Sequence, residues 1–468
     1  MLIRVLRDAR FHPTAEADGP TRPRRYRRGL VLLVALLSWQ GPGRAAEHAG
    51  LVYVVENAAG ETLASHAADQ SINPASTIKI ATSLWALERL GADHRFETRF
   101  DALGKVADGV LDGDLVVIGG ADPDFHVENA SLVATALNRA GIREVRGRLL
   151  VDHRFWIGWE GGSEKREADA DRRALTMATR LRRALDPARW SDGTRKGMQE
   201  FFARRGRSAV DPPKVVVRGG VALHDGATSH DGATQAGDEA RRPGAVAEHT
   251  LLVHRSNPLA RILKRLNAYS NNDIERLGTT LGTARELAAN LAERWEVPRS
   301  EIRIETLSGL GVNRLTPRDI VRLLRDLQAV CDRQRIPLDA ILPRAGCDPG
   351  TLENYPRFGE GPWAGTIVAK TGTLKEIDGG VSVLTGRIET AAGQRLFCVA
   401  APRSGHAVEA ARRRHEDWLR EKILATAAPG PGECGPPLAF SDEDAWVVRI
   451  SSDASLGSGH RPDPAGAR

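Results

Sequence analysis

Three short motifs, far apart in the chain, constrain its fold more than any other feature of the sequence. They are Ser76-Thr77-Ile78-Lys79, Ser270-Asn271-Asn272 and Lys370-Thr371-Gly372-Thr373. Only nine of the 66 basic residues are lysine, and Lys79 alone among these lysines has a serine three positions before it. Because two of so few lysines lie inside the motifs, an accidental match is a poor explanation. A chain in which these motifs act together must fold so that all three meet.

The first motif is predicted to open a buried helix. A turn-like Asn-Pro-Ala precedes Ser76, and apolar residues then recur at helical spacing until Gly91. Residues three apart on a helix share a face, so the Ser76 hydroxyl and the Lys79 amine can meet. A helix N-terminus also favours negative charge that develops near the serine. The alternative is that Ser76 is an ordinary N-cap and Lys79 a solvated surface residue.

The second motif is predicted to lie in a loop between two helices. Helical periodicity runs through residues 251–268, lapses at the motif and resumes from Ile274. A hydroxyl and an amide in such a loop can relay a proton and hold a substrate carbonyl. Ser270 and Asn272 are the preferred pair. Two alternatives stay open, because Tyr269 with Asn271 also fits a Tyr-x-Asn pattern and the loop could be merely polar.

The third motif follows a short predicted strand, Thr366 to Lys370, that runs into a Gly-containing turn. Other segments read as strands at 51–56, 61–65, 380–388 and 395–401, followed by a helix at 407–424. Together they predict an α+β fold, with an antiparallel sheet of about five strands flanked by helices. The Lys370 strand is expected to edge a cleft opposite Ser76.

These residue types suit acyl transfer to a serine. Ser76 is a poor nucleophile at neutral pH, and Lys79 can act as its base only if burial or a second cation lowers the lysine pKa. Lys370 is predicted to be that second cation. Its other predicted task is to bind a substrate carboxylate, helped by the hydroxyl of Thr371 or Thr373.

The chain resembles the D-alanyl-D-alanine carboxypeptidase/endopeptidase family, the low-molecular-mass class C penicillin-binding proteins. The resemblance runs discontinuously from about residue 50 to 424. It includes stretches beyond the motifs, at 73–91, 114–123, 147–152, 308–310 and 315–317. It implies a penicillin-binding-protein/β-lactamase-like transpeptidase fold with a helical subdomain. The catalytic domain would comprise 47–100 and 250–424, and a reduced inserted domain 101–249.

The same resemblance implies a serine-type carboxypeptidase, with endopeptidase activity as a second possibility, that acts on peptidoglycan stem peptides through an acyl-enzyme on Ser76. β-Lactams would be covalent inhibitors, and no cofactor is implied. Ser270 would pass a proton to the leaving D-alanine, and Asn272 would position the substrate. The oxyanion hole would be the backbone N–H groups of Ser76 and Thr373, on either side of the cleft that Gly372 borders, as in relatives with the same motif.

Two other functions share these motifs. A β-lactamase would deacylate quickly, but β-lactamases are far shorter between their first two motifs. A catalytically silent wall-binding module would need none of the intact motif residues. The sequence also departs from the family, because Thr306-Leu307 replace the usual Asp-Gly before Ser308. A charged run replaces the usual Tyr-rich stretch after Trp156, Trp159 and Glu160. Substrate preference is therefore open.

Both ends of the chain differ from its middle. Residues 1–46 have the layout of an export signal, with an arginine-rich start, an apolar run from Gly29 to Trp39 and a small-residue end. That run is too short for a stable membrane span, and its arginine pairs also suit a twin-arginine route. A periplasmic location is expected. Residues 425–468 are predicted to be disordered apart from 445–450.

Net charge is +6, but charges of both signs are mixed, so no nucleic-acid partner is expected. The near-repeats in 225–245 are predicted to form a mobile loop, with metal binding by their His/Asp pairs as the alternative. No zinc-type spacing occurs, so no metal site is predicted. Cys331 and Cys347 are the candidate pair for a disulfide in an oxidising periplasm, and their oxidation state stays open. Cys398 is predicted to be a packed thiol, and Cys434 lies in the tail. Oligomeric state stays open.

Overall fold

Two β-sheets organise the part of the chain that the computed structural model describes, which is residues 50–160, 167–204, 206, 211–224, 248–425, 427–430, 432–435 and 446–449. The predicted leader and the predicted loop 225–245 lie outside these residues. The strands are β1 (Val52–Asn57), β2 (Thr62–His66), β3 (Glu97–Ala107), β4 (Val110–Ile118), β5 (Glu144–Val145), β6 (Leu149–Val151), β7 (Val216–Val217), β8 (Val221–Leu223), β9 (Glu248–Arg255), β10 (Ile367–Leu374), β11 (Val381–Thr390), β12 (Gly393–Pro402) and β13 (Trp446–Arg449). The helices are α1 (Lys79–Leu90), α2 (Val127–Arg139), α3 (Ala170–Ala184), α4 (Asp192–Arg204), α5 (Leu259–Ala268), α6 (Gly278–Leu281), α7 (Ala284–Trp295), α8 (Pro317–Arg333) and α9 (Val408–Leu419).

The first sheet is antiparallel throughout, with the strand order β10-β11-β12-β1-β2. This confirms the expected antiparallel sheet of about five strands. Alternate residues of a strand point to opposite faces. Val54 and Val383 therefore pack on one face with the helices around α1, whereas Val55 and Leu384 pack on the other face with α9. Helices thus cover both faces of the sheet.

Helix α1 lies at the centre of the first core. Its residues from Lys79 to Leu87 are buried, and they cluster with apolar side chains of α5, α7 and α8. A 3-10 turn, Ala75–Ile78, leads into the helix and contacts β10. The Ser-x-x-Lys motif therefore straddles the start of a buried helix and faces the strand that carries Lys370.

The second sheet lies in the segment predicted to be an insert. Strands β3, β4 and β9 are antiparallel, whereas β5 to β8 pair in parallel on the β4 side. Side chains of α2 and α3 cover this sheet and give it a core of its own. Because β3 begins at Glu97 and β9 ends at Arg255, the sheet extends a few residues beyond 101–249. The division into domains stays a prediction.

None of the described helices combines the length and the apolar character that crossing a membrane requires.

The disulfide prediction is wrong. Cys347 pairs with Cys434, with 5.3 Å between their Cα atoms, whereas Cys331 is a buried free thiol. The reason is that Cys331 lies in the last turn of α8 and packs in the first core. Cys398 is a buried free thiol on β12, as predicted.

The described residues of 427–435 also differ from the predicted disorder. The Ala391 amide donates to the Ala428 carbonyl (2.8 Å), and the Gly430 amide donates to the Glu389 carbonyl (2.9 Å). These bonds lay the segment along the end of β11, and the disulfide then fixes it. Backbone pairing and a covalent cross-link thus replace the apolar residues whose scarcity predicted disorder. Strand β13, which pairs with β9, lies within residues 445–450, the part of the tail for which disorder was not predicted.

We expect Cys434→Ser to lower the free energy of unfolding under non-reducing conditions by up to about 4 to 5 kcal/mol, the loop-closure value for a cross-link of this span. The two cysteines are 87 positions apart. Thermal unfolding with and without dithiothreitol measures the effect, since the reductant should destabilise the parent but not the variant. Cys331→Ala is the control and should keep the sensitivity to reductant. Loss of that sensitivity in Cys331→Ala instead would contradict the pairing.

Candidate active site

The Ser76 hydroxyl is presented by a short, tightly held segment at the start of α1. Asn73 Oδ1 accepts the Ala75 amide (3.1 Å) and Thr77 Oγ1 donates to the Pro74 carbonyl (2.7 Å). Ala75 has a φ of 50°, in the left-handed region that non-glycine residues seldom adopt. Such strain persists only where surrounding contacts impose it, and it is common beside reactive groups.

Two glycines let other segments approach Ser76 closely. A Cβ on Gly309 would lie 1.9 Å from the Ala75 carbonyl oxygen. A Cβ on Gly372, in the third motif, would lie 2.8 Å from the Pro74 carbonyl oxygen and 3.2 Å from the Ser76 amide nitrogen. Because Gly372 has no side chain, β10 can lie against the backbone of the serine. Gly309 likewise lets its own segment approach Ala75.

Lys79 is fully buried and directed at Ser76. Its Nζ donates to Ser76 Oγ (2.9 Å), Asn272 Oδ1 (2.9 Å) and the Ser308 carbonyl (2.6 Å). Burial lowers the pKa of Lys79 to about 7, and the nearby Glu275 carboxylate opposes that shift. A large fraction of Lys79 is therefore neutral near pH 7, which a general base requires.

Lys370 is the second buried amine of the site. Its Nζ donates to Ser270 Oγ (2.8 Å) and to the Thr371 carbonyl (2.8 Å). Burial, and then the positive charge of Lys79, hold the pKa of Lys370 well below its usual value. The positive charge of Lys79 thus acts on the pKa of Lys370. The predicted reverse effect is not the cause at Lys79, where burial lowers the pKa.

The second motif enters the site through the preferred pair. Ser270 lies just beyond α5 with a φ of 51°, which turns its hydroxyl to Lys370. The alternative pair points elsewhere, because the Tyr269 ring lies 5.7 Å from the Trp159 ring. Asn271 Oδ1 instead accepts the Asp273 amide (2.8 Å) and caps the 3-10 turn Asn272–Leu277.

The two threonines of the third motif differ. Thr371 Oγ1 donates to Thr351 Oγ1 (2.8 Å), which in turn donates to the Ala268 carbonyl (3.2 Å). The single hydroxyl hydrogen of Thr371 is therefore committed to Thr351. Thr373 is partly exposed, so its hydroxyl is the better placed of the two for a ligand.

Several contributors were not predicted as site residues. The Ser308 carbonyl, Glu275 and Thr351 all act on motif residues, yet each belongs to a different segment. Ser308-Gly309 was noticed only as part of the family resemblance, and that signal could have identified the carbonyl. Asp378 was missed entirely. It accepts from Asn73 Nδ2 (2.8 Å) and so ties the β10–β11 connection to the segment before Ser76.

The insert contacts the catalytic side beside the second motif. The Glu160 amide donates to Asp273 Oδ2 (3.1 Å), and Arg276 Nη2 donates to the Gly158 carbonyl (2.9 Å). Residues 158–160, which come just before the charged run that departs from the family, therefore lie next to the second motif. Among the described residues, no group of three or more His, Cys, Asp or Glu side chains is placed to hold a metal ion.

We expect Gly309→Ala to slow acylation of Ser76 by a β-lactam by roughly 100-fold, because a displacement of about 1 Å at a reacting group costs that much. Gly141→Ala is a matched control. Its φ of 83° is close to the 87° of Gly309, yet its Cβ would meet nothing within 4 Å. Both variants bear the backbone cost of about 1–2 kcal/mol, which thermal unfolding reports. Equal acylation rates in the two variants would refute a role for the close approach.

Comparisons with known proteins agree with this site. Residues 41–177 and 226–422 match the D-Ala-D-Ala carboxypeptidase 3 (S13) family. A D-alanyl-D-alanine carboxypeptidase of Actinomadura sp. (strain R39) is 28% identical over 431 residues, which cover 76% of this chain and 77% of that protein.

Two solved structures share the fold. The penicillin G-acylated Bd3459 predatory endopeptidase from Bdellovibrio bacteriovorus, in complex with immunity protein Bd3460, has a TM-score of 0.67 at 22% identity. That match covers 85% of this chain and 99% of the endopeptidase. Penicillin-binding protein 4 (dacB) from Haemophilus influenzae has a TM-score of 0.50 at 18% identity, over 80% and 99% of the two chains. With most of its length matched and the three motifs brought together, the chain belongs to the D-Ala-D-Ala carboxypeptidase 3 (S13) family.

Proposed function

We propose that this protein hydrolyses the D-Ala-D-Ala ends of peptidoglycan stem peptides through an acyl-enzyme on Ser76. The observation that carries the proposal is the contact between Lys79 Nζ and Ser76 Oγ, at 2.9 Å, in a site that lowers the lysine pKa to about 7. A serine next to a buried, partly neutral amine is an activated nucleophile.

In the proposed acylation step, neutral Lys79 takes the Ser76 proton while Ser76 Oγ bonds to the carbonyl carbon of the scissile peptide. The backbone N–H groups of Ser76 and Thr373 stabilise the oxyanion, each contributing about 3 kcal/mol in the transition state. When the peptide C–N bond breaks, Ser270 donates a proton to the leaving D-alanine amine. Exchange with solvent then returns a proton to Ser270 and removes one from Lys79, which is neutral again before the second step.

In the proposed deacylation step, water adds to the acyl carbon and passes a proton to neutral Lys79, which gives it to Ser76 Oγ as the ester bond breaks. The shortened peptide leaves, and the serine hydroxyl is restored. A β-lactam would also form an ester with Ser76, and that ester would hydrolyse slowly. Lys370 and the Thr373 hydroxyl would bind the terminal carboxylate, and Asn272 would orient the substrate amide.

An endopeptidase reaction on cross-linked peptides uses the same chemistry, and the Bd3459 relative is named as an endopeptidase. The balance between the two activities is part of the proposal. We further propose export to the periplasm, directed by residues 1–46. The Cys347–Cys434 disulfide supports that location, because such bonds persist in oxidising compartments.

Incubation with fluorescent penicillin, followed by gel and intact mass over time, separates the possible functions. A stable adduct supports the carboxypeptidase type, a transient adduct indicates a β-lactamase, and no adduct indicates a silent binding module. Release of D-alanine from a diacyl D-Ala-D-Ala peptide then tests the peptidase directly.

We expect Ser76→Ala to abolish both the penicillin adduct and D-alanine release while thermal unfolding stays close to that of the parent, because the change removes only the nucleophilic oxygen. Ser71→Ala, at an exposed serine nearby, is the control and should retain both activities. An adduct on another residue of the Ser76→Ala protein would eliminate Ser76 as the nucleophile.

Lys79→Ala and Lys370→Ala are expected to fail differently. In the parent, acylation should rise with pH through about 7, where Lys79 loses its proton. Lys79→Ala should lose acylation at every pH. In the complex with a free carboxylate substrate, Lys370→Ala removes the positive charge that the carboxylate would restore on Lys370, so the pKa of Lys79 rises and the acid limb of kcat moves to higher pH. It should also raise KM for a free carboxylate substrate more than for its methyl ester.

The measurements are kcat and KM from pH 5 to pH 9 for both substrates. Lys375→Ala, at an exposed lysine shortly after β10, is the control and should match the parent. Identical pH profiles and identical ester-to-acid ratios for the two buried-lysine variants would contradict the proposed division of roles.

A further inference from the structure

We infer that Glu275 is a positioning residue for the proposed base: its carboxylate holds the backbone of Ser308 and, through that residue, the Lys79 amine. The inference rests on the proposed function, because it concerns how Lys79 is kept ready to deprotonate Ser76.

The geometry links Glu275 to Lys79 through the backbone of one buried residue, Ser308. Glu275 Oε1 accepts the Ser308 amide (2.8 Å), and the Ser308 carbonyl accepts from Lys79 Nζ (2.6 Å). Ser308 is fully buried, whereas Glu275 is half-buried. The two bonds lie on either side of the Ser308 Cα, so the Glu275 contact fixes the position of the residue whose carbonyl holds Lys79. Lys79 is therefore held by an acceptor whose orientation Glu275 sets.

One short element sets two of the three Lys79 contacts. The 3-10 turn Asn272–Leu277 carries Asn272, which accepts from Lys79 directly, and Glu275, which acts through Ser308. The neighbouring charges of this turn face the insert instead. Arg276 bonds to the Gly158 carbonyl, and Asp273 accepts the Glu160 amide. Glu275 is thus the carboxylate of the turn that serves the Lys79 side.

Charge gives Glu275 a second effect on the same amine. The charged side chains that bear on Lys79 are Glu275 on the turn and Lys370 on β10, while Ser76 and Asn272 supply neutral contacts. Burial pulls the pKa of Lys79 down, and the Glu275 carboxylate pulls it up. Without the carboxylate, the pKa of Lys79 would be lower. The amine would then stay neutral down to a lower pH, but it would be a weaker base.

Two substitutions separate these effects. Glu275→Gln keeps an oxygen that can accept the Ser308 amide but removes the charge. We expect the acid limb of the acylation profile to move down by roughly one pH unit, with a limiting rate within about threefold of the parent. Glu275→Ala also removes the acceptor, so we expect the same movement together with a roughly tenfold or greater fall in the limiting rate. Glu293→Gln, at an exposed carboxylate on α7, should change neither quantity.

A direct titration of Lys79 tests the inference independently of turnover. The protein is labelled with lysine carrying ¹³C at Cε, the Lys79 resonance is assigned by its loss in Lys79→Arg, and its midpoint is followed with pH. A lower midpoint in Glu275→Gln than in the parent supports the inference. Superimposable Lys79 titrations overturn it, as does a loss of thermal stability in Glu275→Ala with no change in either pH profile. If the parent forms no penicillin adduct, the proposed function fails, and the Lys79 titration still decides the role of Glu275.

Discussion

The burial of two amines, Lys79 and Lys370, is the constraint on which the rest of the site depends. An ammonium group removed from water is costly unless hydrogen-bond acceptors replace its hydration. Each amine has such acceptors, on the Ser-x-Asn loop and on other backbone or side-chain oxygens. These acceptors come from segments as distant in sequence as residues 76, 270 and 308. The chain can bury its two lysines only by bringing those segments together, so the assembly of the site and the folding of the core are one problem.

Close approach of backbone to backbone is what makes that assembly possible. Gly309 and Gly372 stand where any side chain would strike the segment before Ser76. The strain visible at Ala75 and Ser270 is the local cost of aiming two hydroxyls inward. Asp378 adds support, because it accepts from Asn73 and forms a bidentate pair with Arg314. The buried helix α1 then holds Lys79, and the 3-10 turn before it packs against β10, which carries Lys370.

Local patterns in the sequence predicted the parts of this structure that depend on periodicity. Short strand-like segments ended by turns predicted β10 to β12, helical spacing predicted α1 and α9, and the three motifs identified the buried amines. Partners far apart in the chain have no such signature. Cys347 could not be matched with Cys434 from spacing, because the pairing depends on how residues 427–435 lie along the sheet. Glu275 served only as context for the second motif, since its contact with the Ser308 amide appears only when the two segments are brought together. The contact of Thr351 with Thr371 also depends on the folded arrangement of two segments, so no local pattern predicted it.

The electrostatics also explain why an anionic end would suit this cleft. With both amines buried and repelling each other, the empty site disfavours two positive charges at once. In the proposed reaction, a substrate carboxylate beside Lys370 would favour the charged form of that lysine. The restored positive charge on Lys370 would in turn lower the pKa of Lys79, so that Lys79 would lose its proton and be neutral next to Ser76. A substrate without the carboxylate would lose this effect as well as a direct contact. The charge on Lys370 would then serve both to recognise the chain end and to activate the nucleophile. Glu275, which raises the pKa of Lys79, would limit how far that pKa falls.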